Sequence, residues 1–448
     1  MKTPDAAAAA VATLSDSSGR TRLPDDRPPV NELRLQQNGI HLVSGRRLIL
    51  LTDLPVDQVA ELPVLADQLF DWLQNHFGPL PAAVDGSEFQ VTGHLIGDES
   101  RFRAAGLLPS SALTFKHGRH LNYQFWMYNP EFEYYRRHLL FHEFTHCFMT
   151  CESGMTDIPP LWYIEGMAEF AATHRITDSR RKPPEIEFGV LPEQFDGYEG
   201  WGRISELQRR FRPATRAQDA SPKIPALADV MPDTVGSFGE DSEYATSWAV
   251  CWMIYRHPEY RRVFQPLSRL RTRQEFITEA ARLRSSVELQ LQTDWLLFCE
   301  TLIEGFDVEL SFPEHAQQTW QLSDLSDGPP FSMLLKADAD WQDTGLRLTT
   351  SQQVRISVEG RYAVNDQPKP WISEPQGVSI EYYRHKPLGQ IVAILINEAD
   401  GFVSGRIEVG PESIITAEQD CSLWLQVNDS SASRRNNSGT AEVRLSAP

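Results

Sequence analysis

Residues 121–170 read LNYQFWMYNPEFEYYRRHLLFHEFTHCFMTCESGMTDIPPLWYIEGMAEF, and this stretch decides the fold around the candidate site. Apolar side chains recur at every second position over residues 121–128, which predicts a β-strand. The Asn-Pro pair that follows is typical of a helix start, with asparagine as N-cap and proline at the first helical position. A helix is therefore predicted over 130–151, and a second one over 160–174.

The first of these helices contains the motif HEFTH at residues 142–146. Residues four apart project from one face about one turn apart, so His142 and His146 can present imidazole nitrogens to a single ion. Glu143 lies about 100° around the helix, where it can take a proton from water and pass it to a leaving amine. Phe144 and Phe148 lie on the opposite side of this helix, which predicts that that side is buried. The pattern predicts a metal centre on the front of this helix.

Glu165 is the predicted third ligand, with eighteen residues between it and His146. A catalytic zinc needs about three protein ligands and an open position for water, and two histidines plus one glutamate are an established set. Glu169, one turn further on, either accepts the free N–H of a ligating imidazole or is a surface carboxylate. His138 lies about 12 Å along the helix from His146. It therefore cannot share the same ion, and we expect it to pack or to support a ligand.

The HEFTH block, the eighteen-residue gap and W-x-x-E-G-x-A-E resemble the gluzincin metallopeptidases, the clan of thermolysin-like enzymes and zinc aminopeptidases. The resemblance covers residues 120–300. It implies that His142, His146 and Glu165 bind zinc and that Glu143 is the general base. It also implies an α+β fold in which a small α/β subdomain precedes the active-site helices and a helical subdomain.

Two further expectations come from the same resemblance. Tyr244 matches the tyrosine that stabilises the developing oxyanion in this clan, although an aromatic packed in the core would give the same pattern. The strand over 121–128 takes the place of the edge strand that pairs with an extended substrate. A strand buried inside a sheet would show the same sequence pattern. No G-x-M-E-N segment that would anchor a substrate amino terminus precedes the metal helix, which favours an endopeptidase.

The C-terminal part changes character. Short β-branched segments separated by turn residues predict an antiparallel β-sandwich, with strands over 354–359, 377–383, 391–397, 405–409, 423–428 and 440–446. Residues 335–448 resemble the bacterial calcium-dependent galactophilic lectins, on the strength of WQDTGL at 341–346, VRISVEG at 354–360 and VNDSSASRRNNSG at 427–439.

This second resemblance implies a calcium site made by Asp429, Asn436, Asn437 and the carbonyl of Ser433. Oxygen ligands of these kinds suit calcium, but an ordinary surface hairpin uses the same residue types. At the sugar site, the lectins have HPDQG where residues 373–377 read SEPQG, so Gln376 matches and the histidine is missing. The module either binds a glycan other than galactose or only caps and solubilises the enzyme.

Length and charge limit the remaining possibilities. A chain of 448 residues is long enough for about three structural units. The predicted domains are a disordered N-terminal segment (1–32), an α/β subdomain (33–120), the metallopeptidase helical region (121–322), a linker (323–334) and the lectin-like sandwich (335–448). A net charge of −19 opposes nucleic-acid binding. No apolar run reaches the roughly 18 residues of a membrane span.

Five cysteines are too few and too scattered for a disulfide framework, so we expect reduced thiols, with Cys147 and Cys151 buried. These thiols and the lack of a clear signal peptide favour the cytoplasm, whereas a weak calcium site is filled more readily outside it. The combined prediction is a zinc-dependent peptidase acting on peptides or proteins, with a calcium- and glycan-binding module. The alternatives are an adhesion or carbohydrate-binding protein with a structural or inactive metal site, and a zinc hydrolase of non-peptide amides.

Overall fold

The computed structural model describes residues 21–108, 117–152, 157–192, 202–211, 223–232, 241–269, 272–326 and 331–448. The fold is mixed α+β, and the chain divides into two compact units. Unit 1 comprises Met1–Pro159, Ile176–Phe188 and Pro266–Phe276, and unit 2 comprises Pro160–Arg175, Gly189–Gln265 and Ile277–Pro448. No helix among the described residues combines the length and the apolar character that crossing a membrane requires.

Unit 1 is built around a five-stranded sheet in the order β1-β2-β3-β5-β4. Its helices are α1 (Glu32–Gln37), α2 (Leu62–Phe77), α3 (Glu99–Ala105) and α4 (Glu133–Thr150), and its strands are β1 (His41–Ser44), β2 (Leu48–Thr52), β3 (Val91–Ile96), β4 (Gly118–Leu121) and β5 (Gln124–Tyr128). The three inner strands run parallel, and the two outer strands are antiparallel to their neighbours. The described part of residues 33–120 combines helices and strands, in line with the α/β subdomain expected there.

The centre of this sheet is closely packed. All six residues of β3 are buried, as expected for a parallel strand covered on both faces. Gly93 is required there, because a Cβ at this position would lie 2.4 Å from the ring of Phe125 on the neighbouring strand. The sheet therefore provides a rigid support for the helices packed on it.

The strand predicted over residues 121–128 is instead a hairpin. Asn122 has φ 47°, a left-handed conformation that asparagine tolerates, and it reverses the chain between β4 and β5. The edge-strand prediction for 121–128 was therefore wrong, because β5 lies between β3 and β4. In the described part of the chain β4 is the edge of this sheet.

Helix α4 begins three residues later than predicted. Its N-cap is Phe132, which caps nothing with its side chain. Asn129 is not the N-cap, because its side-chain oxygen accepts a hydrogen bond of 2.7 Å from Arg136 Nε. The helix ends at Thr150, one residue before the predicted end, so the metal motif lies well inside it.

Unit 2 begins with α5 (Leu161–Ala172), close to the predicted bounds of 160–174. Its other helices are α6 (Gly202–Phe211), α7 (Leu227–Val230), α8 (Asp241–Arg256), α9 (Pro258–Phe264), α10 (Arg273–Thr301, of which Ile277 onward belongs to this unit) and α11 (Leu322–Ser326). Residues 174–188, of which Ile176–Phe188 belong to unit 1, form a two-stranded sheet of β6 (His174–Asp178) and β7 (Glu185–Phe188). The described part of residues 241–301 is mostly helical.

Helices α5 and α8 approach each other closely through a glycine. A Cβ at Gly166 would lie 2.4 Å from the Ser247 carbonyl oxygen and 2.6 Å from Cys251 Sγ. Trp248 is fully buried beside this contact, and its indole N–H donates to Thr173 Oγ1 at 3.1 Å. The glycine of the EGMAE motif is therefore explained by helix packing.

The C-terminal strands form two larger antiparallel sheets that share one apolar core, and a separate two-stranded sheet of β12 and β13. They are β8 (Trp320–Gln321), β9 (Phe331–Lys336), β10 (Gln342–Leu348), β11 (Gln353–Glu359), β12 (Tyr362–Ala363), β13 (Ile372–Ser373), β14 (Gln376–Tyr383), β15 (Lys386–Asn397), β16 (Phe402–Val403), β17 (Ile407–Glu408), β18 (Glu412–Thr416), β19 (Cys421–Val427) and β20 (Thr440–Ser446). One sheet has the order β14-β15-β19-β10-β8, where β8 is a short parallel addition, and the other β18-β11-β20-β9. The strands predicted from turn residues and β-branched runs are confirmed, with small shifts of their bounds.

A buried charge cluster joins the end of α10 to the sandwich within unit 2. The carboxylate of Glu300 accepts hydrogen bonds from the Arg406 guanidinium at 3.1 and 3.0 Å and from Trp341 Nε1 at 3.2 Å. Arg384 also pairs with Glu300 and donates to its carbonyl at 2.5 Å. These buried charges are paired, as the cost of desolvation requires.

Three sequence expectations fall on irregular segments. The disorder predicted over 1–32 lies partly outside the described residues, while the backbone N–H groups of Arg22 and Leu23 donate to Ala82 and Cys151. The linker expected at 323–334 contains the end of α11 and the start of β9, and residues 327–330 are not described. All five cysteines are free and buried, and the burial predicted for Cys147 and Cys151 is confirmed.

Replacing Gly166 by alanine tests the α5–α8 packing. The higher helix propensity of alanine contributes about 1 kcal/mol, but overpacking against a backbone carbonyl at 2.4 Å costs about 2–3 kcal/mol, the upper part of the usual range. We expect the free energy of unfolding in urea to fall by about 1–2 kcal/mol. Ser285→Ala, on the exposed face of α10, is the control and should change it by less than about 0.5 kcal/mol. A Gly166→Ala protein as stable as the wild type would contradict the packing argument.

Candidate metal centre

The back of α4 is anchored by aromatic rings in unit 1. Phe144 and Phe148 each lie 5.9 Å, centroid to centroid, from Phe89 in edge-on contacts, and Phe148 also packs on Phe70. Edge-to-face contacts at such distances are favourable. This anchorage sets the rotation of the helix and directs the HEFTH face away from α2.

His142 and His146 converge at the front of the helix. Their Nε2 atoms lie 3.0 Å apart, and the ring planes are nearly perpendicular at 83°. Both side chains are buried, with exposed fractions of 7% and 2%. The spacing of four residues therefore does what the sequence predicted and brings two nitrogens to one point.

Glu143 lies beside this pair under the edge strand. Its side chain is buried, and its Oε2 accepts no hydrogen bond from the described residues. A Cβ at Gly118 of β4 would lie 2.3 Å from Glu143 Oε1, so a larger residue there would displace the carboxylate. A buried carboxylate oxygen that lacks a donor is uncommon in native proteins and is typical of functional sites.

His120, also on β4, lies next to both His146 and Glu143. Its ring stacks on that of His146 with centroids 4.4 Å apart and an interplanar angle of 21°. Its Nδ1 lies 3.6 Å from Glu143 Oε2, beyond normal hydrogen-bond range. The sequence prediction missed both Gly118 and His120, because it placed the strand at 121–128; Asn122 as a turn residue was the signal that could have revealed the hairpin.

Glu165 lies half-buried on α5. One potential ligand atom from each of His142, His146 and Glu165 lies within 4.8 Å of the other two. Binding of one ion by all three side chains stays a prediction.

Glu169 and Tyr244, both in unit 2, meet a residue that the sequence prediction missed. The buried Glu169 carboxylate accepts two hydrogen bonds from Arg203, at 3.0 and 2.6 Å, and is therefore not a surface group. The Arg203 guanidinium also lies 5.3 Å from the ring centroid of the half-buried Tyr244. Arg203 is 34 residues from Glu169 in sequence, and no local pattern signals the pair. Support of an imidazole by Glu169 and oxyanion binding by Tyr244 stay predictions.

The donor set fits zinc. Zn–N bonds of about 2.0–2.1 Å place two nitrogens of a tetrahedral site about 3.3 Å apart, close to the distance between the two Nε2 atoms. Two imidazoles with a carboxylate are typical zinc ligands, and Glu143 lies next to them without being needed as a ligand. His138, one turn earlier, is buried among the rings of Tyr134 and Tyr135, in line with the expected packing role.

The predicted calcium residues lie in a loop of the sandwich. Asp429 Oδ1 accepts hydrogen bonds from the Ser430 backbone at 2.6 Å and from Ser433 Oγ at 2.7 Å. In contrast, Asp429 Oδ2, Asn436 Oδ1 and Asn437 Oδ1 are buried and accept no hydrogen bond from the described residues. Burial raises the pKa of the Asp429 carboxyl, which hydrogen bonds from Ser433 and the Ser430 backbone partly oppose.

Oxygens of this kind fit a calcium ion, because calcium takes carboxylate and amide oxygens. The Ser433 carbonyl, predicted as a fourth ligand, accepts a hydrogen bond from the Asn436 N–H at 3.1 Å and has a second lone pair. Gln376, the predicted glycan contact, is exposed on β14, and its Nε2 donates to Glu374 at 3.1 Å. Nothing about Gln376 distinguishes it from an ordinary surface residue.

Comparison with known proteins gives little beyond this geometry. No protein-family model matches the chain, and no curated protein matches it. Among solved structures, a chain described as EclA N-terminal domain, a PllA-like lectin, is 17% identical and covers 26% of this chain and 96% of its own, with a TM-score of 0.22. Aeromonas hydrophila PliG, a periplasmic lysozyme inhibitor of g-type lysozyme, is 10% identical and covers 30% of this chain and 99% of its own, with a TM-score of 0.16.

Zinc titration tests the centre directly. We expect one high-affinity zinc per chain by elemental analysis, and a loss of affinity of more than about 100-fold for His142→Ala and for His146→Ala. A lost ligand should cost more than the 10- to 100-fold that supporting partners typically contribute. His138→Gln, on the same helix, is the control and should keep its zinc. A His142→Ala protein with wild-type zinc affinity would contradict the assignment.

Proposed function

We propose that the protein is a zinc-dependent peptidase of gluzincin-like fold that hydrolyses internal peptide bonds. The observation that carries the proposal is the convergence of His142 Nε2 and His146 Nε2 next to a buried Glu143 carboxylate oxygen that accepts no hydrogen bond from the described residues. Metal-assisted hydrolysis needs two things: nitrogen ligands, and a base held beside the metal and not on it. The resemblance of the motif block to the gluzincins supports the same conclusion, with Glu165 as third ligand.

The proposed mechanism assigns one role to each side chain. A zinc ion held by His142, His146 and Glu165 would supply Lewis-acid polarisation of the scissile carbonyl and a lower pKa for water. Glu143 takes the proton from the attacking water and gives it to the leaving amine. Tyr244 donates a hydrogen bond to the developing oxyanion.

The edge strand β4 is the proposed mount for the substrate. Its neighbour β5 occupies one side, and in the described residues no strand pairs with the other. An extended peptide can add to such an edge through backbone hydrogen bonds. This places the peptide beside Glu143, because Gly118 and His120 of the same strand lie against that carboxylate.

Glu143→Gln separates hydrolysis from metal binding. The amide keeps the shape of the side chain but cannot accept the proton, so cleavage of a peptide library should fall by about 10²- to 10⁴-fold while zinc stays bound. Glu133→Gln, in the exposed first turn of α4, is the matched control and should cleave normally. Unchanged cleavage by Glu143→Gln would remove the peptidase proposal and favour an adhesion protein with a structural metal.

Gly118→Ala tests the strand above the base. The added Cβ would displace the Glu143 carboxylate, and a shift of about 1 Å at a reacting group costs about 100-fold in rate. We expect kcat to fall by that factor while zinc stoichiometry is unchanged. Leu121→Ala, at the exposed end of the same strand, serves as the control. If kcat were unchanged in Gly118→Ala, Glu143 would not be the base.

For the C-terminal module we propose a calcium site in the loop from Asp429 to Asn437. The support is the set of three buried oxygens that accept no hydrogen bond from the described residues. A divalent cation would satisfy all three at once and would favour ionised Asp429. Glycan binding by the module stays a proposal from the lectin resemblance, with Gln376 as the contact.

A further inference from the structure

The loop that carries the proposed calcium ligands is fastened to another part of unit 2. We name residues 429–437 the latch loop and residues 301–309, the end of α10 and the segment after it, the α10 tail. The Ser431 hydroxyl donates to the Thr301 carbonyl at 2.9 Å, and the Asp307 N–H donates to the Ser431 carbonyl at 3.1 Å. Two backbone carbonyls are thus satisfied across this contact.

Arg435 adds a second fastening at the surface. Its guanidinium donates to both Asp307 oxygens, at 2.6 and 2.9 Å, and to Glu309 at 2.9 Å. A Cβ at Gly305 would lie only 3.0 Å from the Ala432 Cβ, so the two backbones are in close contact. The latch loop is therefore packed on the α10 tail and is not a free surface hairpin.

The inner side of the latch loop is held by buried polar groups. Arg434 is fully buried, and its Nη1 atom lies 3.3 Å from Oδ1 of Asp340, which is also buried. On the same loop, Asp429 and Asn437 are 3% and 5% exposed, and each keeps one oxygen that accepts no hydrogen bond from the described residues. Burying acceptors without donors opposes this conformation of the loop.

A cation that satisfies these oxygens removes that cost and stabilises the conformation in which Ser431 and Arg435 reach the tail. Cation binding and docking of the loop are then linked, because any ligand that binds one conformation shifts the equilibrium towards it. Exposed ion pairs contribute little by themselves, so Arg435 alone is not expected to hold the contact.

We propose that the latch loop is a cation-dependent latch: a calcium-class divalent ion, bound by Asp429, Asn436 and Asn437, fastens the sandwich to the α10 tail. This inference rests on the calcium site proposed above and is independent of the zinc centre. The ion acts here as a joint within the chain, in addition to any glycan that the module binds.

Hydrogen exchange of the full-length protein, read by mass spectrometry, tests the latch. Zinc is kept constant, and calcium chloride is compared with magnesium chloride. At a calcium concentration ten times its Kd, the tail peptides should exchange about tenfold slower, because the open state is depleted by a factor of 1 + [L]/Kd. Asp429→Asn should abolish both the slowing and the calcium binding seen by calorimetry.

Arg435→Ala separates the latch from the calcium site, because it removes the ion pairs to the tail and leaves every proposed ligand in place. Calcium should still bind, and the slowing of the tail should be reduced several-fold. Arg444→Ala, another exposed arginine of the sandwich that pairs with Glu442, is the control and should behave as the wild type.

Two results would overturn the latch. If calcium binds the wild type but leaves exchange of the tail unchanged, the calcium site stands and the latch does not. If calorimetry detects no calcium binding at millimolar concentration, both the site and the latch fail, while the peptidase proposal is unaffected. The two failures are distinguished because binding and exchange are measured on the same protein.

Discussion

Burial of polar side chains on helix α4 is the constraint on which the rest of unit 1 depends. Every side chain from Arg136 to Phe148 is buried, including two imidazoles and a carboxylate in the motif. Such groups cannot be left in an apolar interior without partners or an ion. The aromatic side of the helix packs on other rings of unit 1. Its polar side faces strand β4, where the residue next to Glu143 is Gly118.

Unit 2 meets a similar constraint in a different way. Two of its buried carboxylates are paired with arginines: Glu169 with Arg203, and Glu300 with Arg406 and Arg384. Buried pairs of this kind contribute little net stability but strongly disfavour the loss of either partner. They fix the positions of α5 and α6 on one side, and of α10 and the sandwich on the other.

The two proposed metal sites differ in donor chemistry, and this difference keeps their ions apart. Imidazole nitrogens with one carboxylate suit zinc, whereas carboxylate and amide oxygens in a loop suit calcium. The zinc site is built on a helix whose rotation is set by packing. The proposed calcium ligands lie on a loop that is hydrogen-bonded to the α10 tail, and this is why we propose that its ion has a mechanical role and the zinc a chemical one.

Local patterns were enough for much of this protein. A spacing of four residues on one helix determines that His142 and His146 converge, because it depends only on the fixed period of the helix. Short β-branched runs between turn residues predict six of the thirteen described strands from β8 to β20. The HEFTH motif predicts a metal centre, and the net charge of −19 opposes nucleic-acid binding. Tertiary structure alone decided that β4, and not residues 121–128 as one strand, forms the edge above Glu143. It also supplied Arg203 for Glu169 and set the latch loop against the α10 tail. These contacts join residues 23, 34 or more than 100 positions apart, and they arise from packing and desolvation in three dimensions, which leave no periodic signal in the sequence.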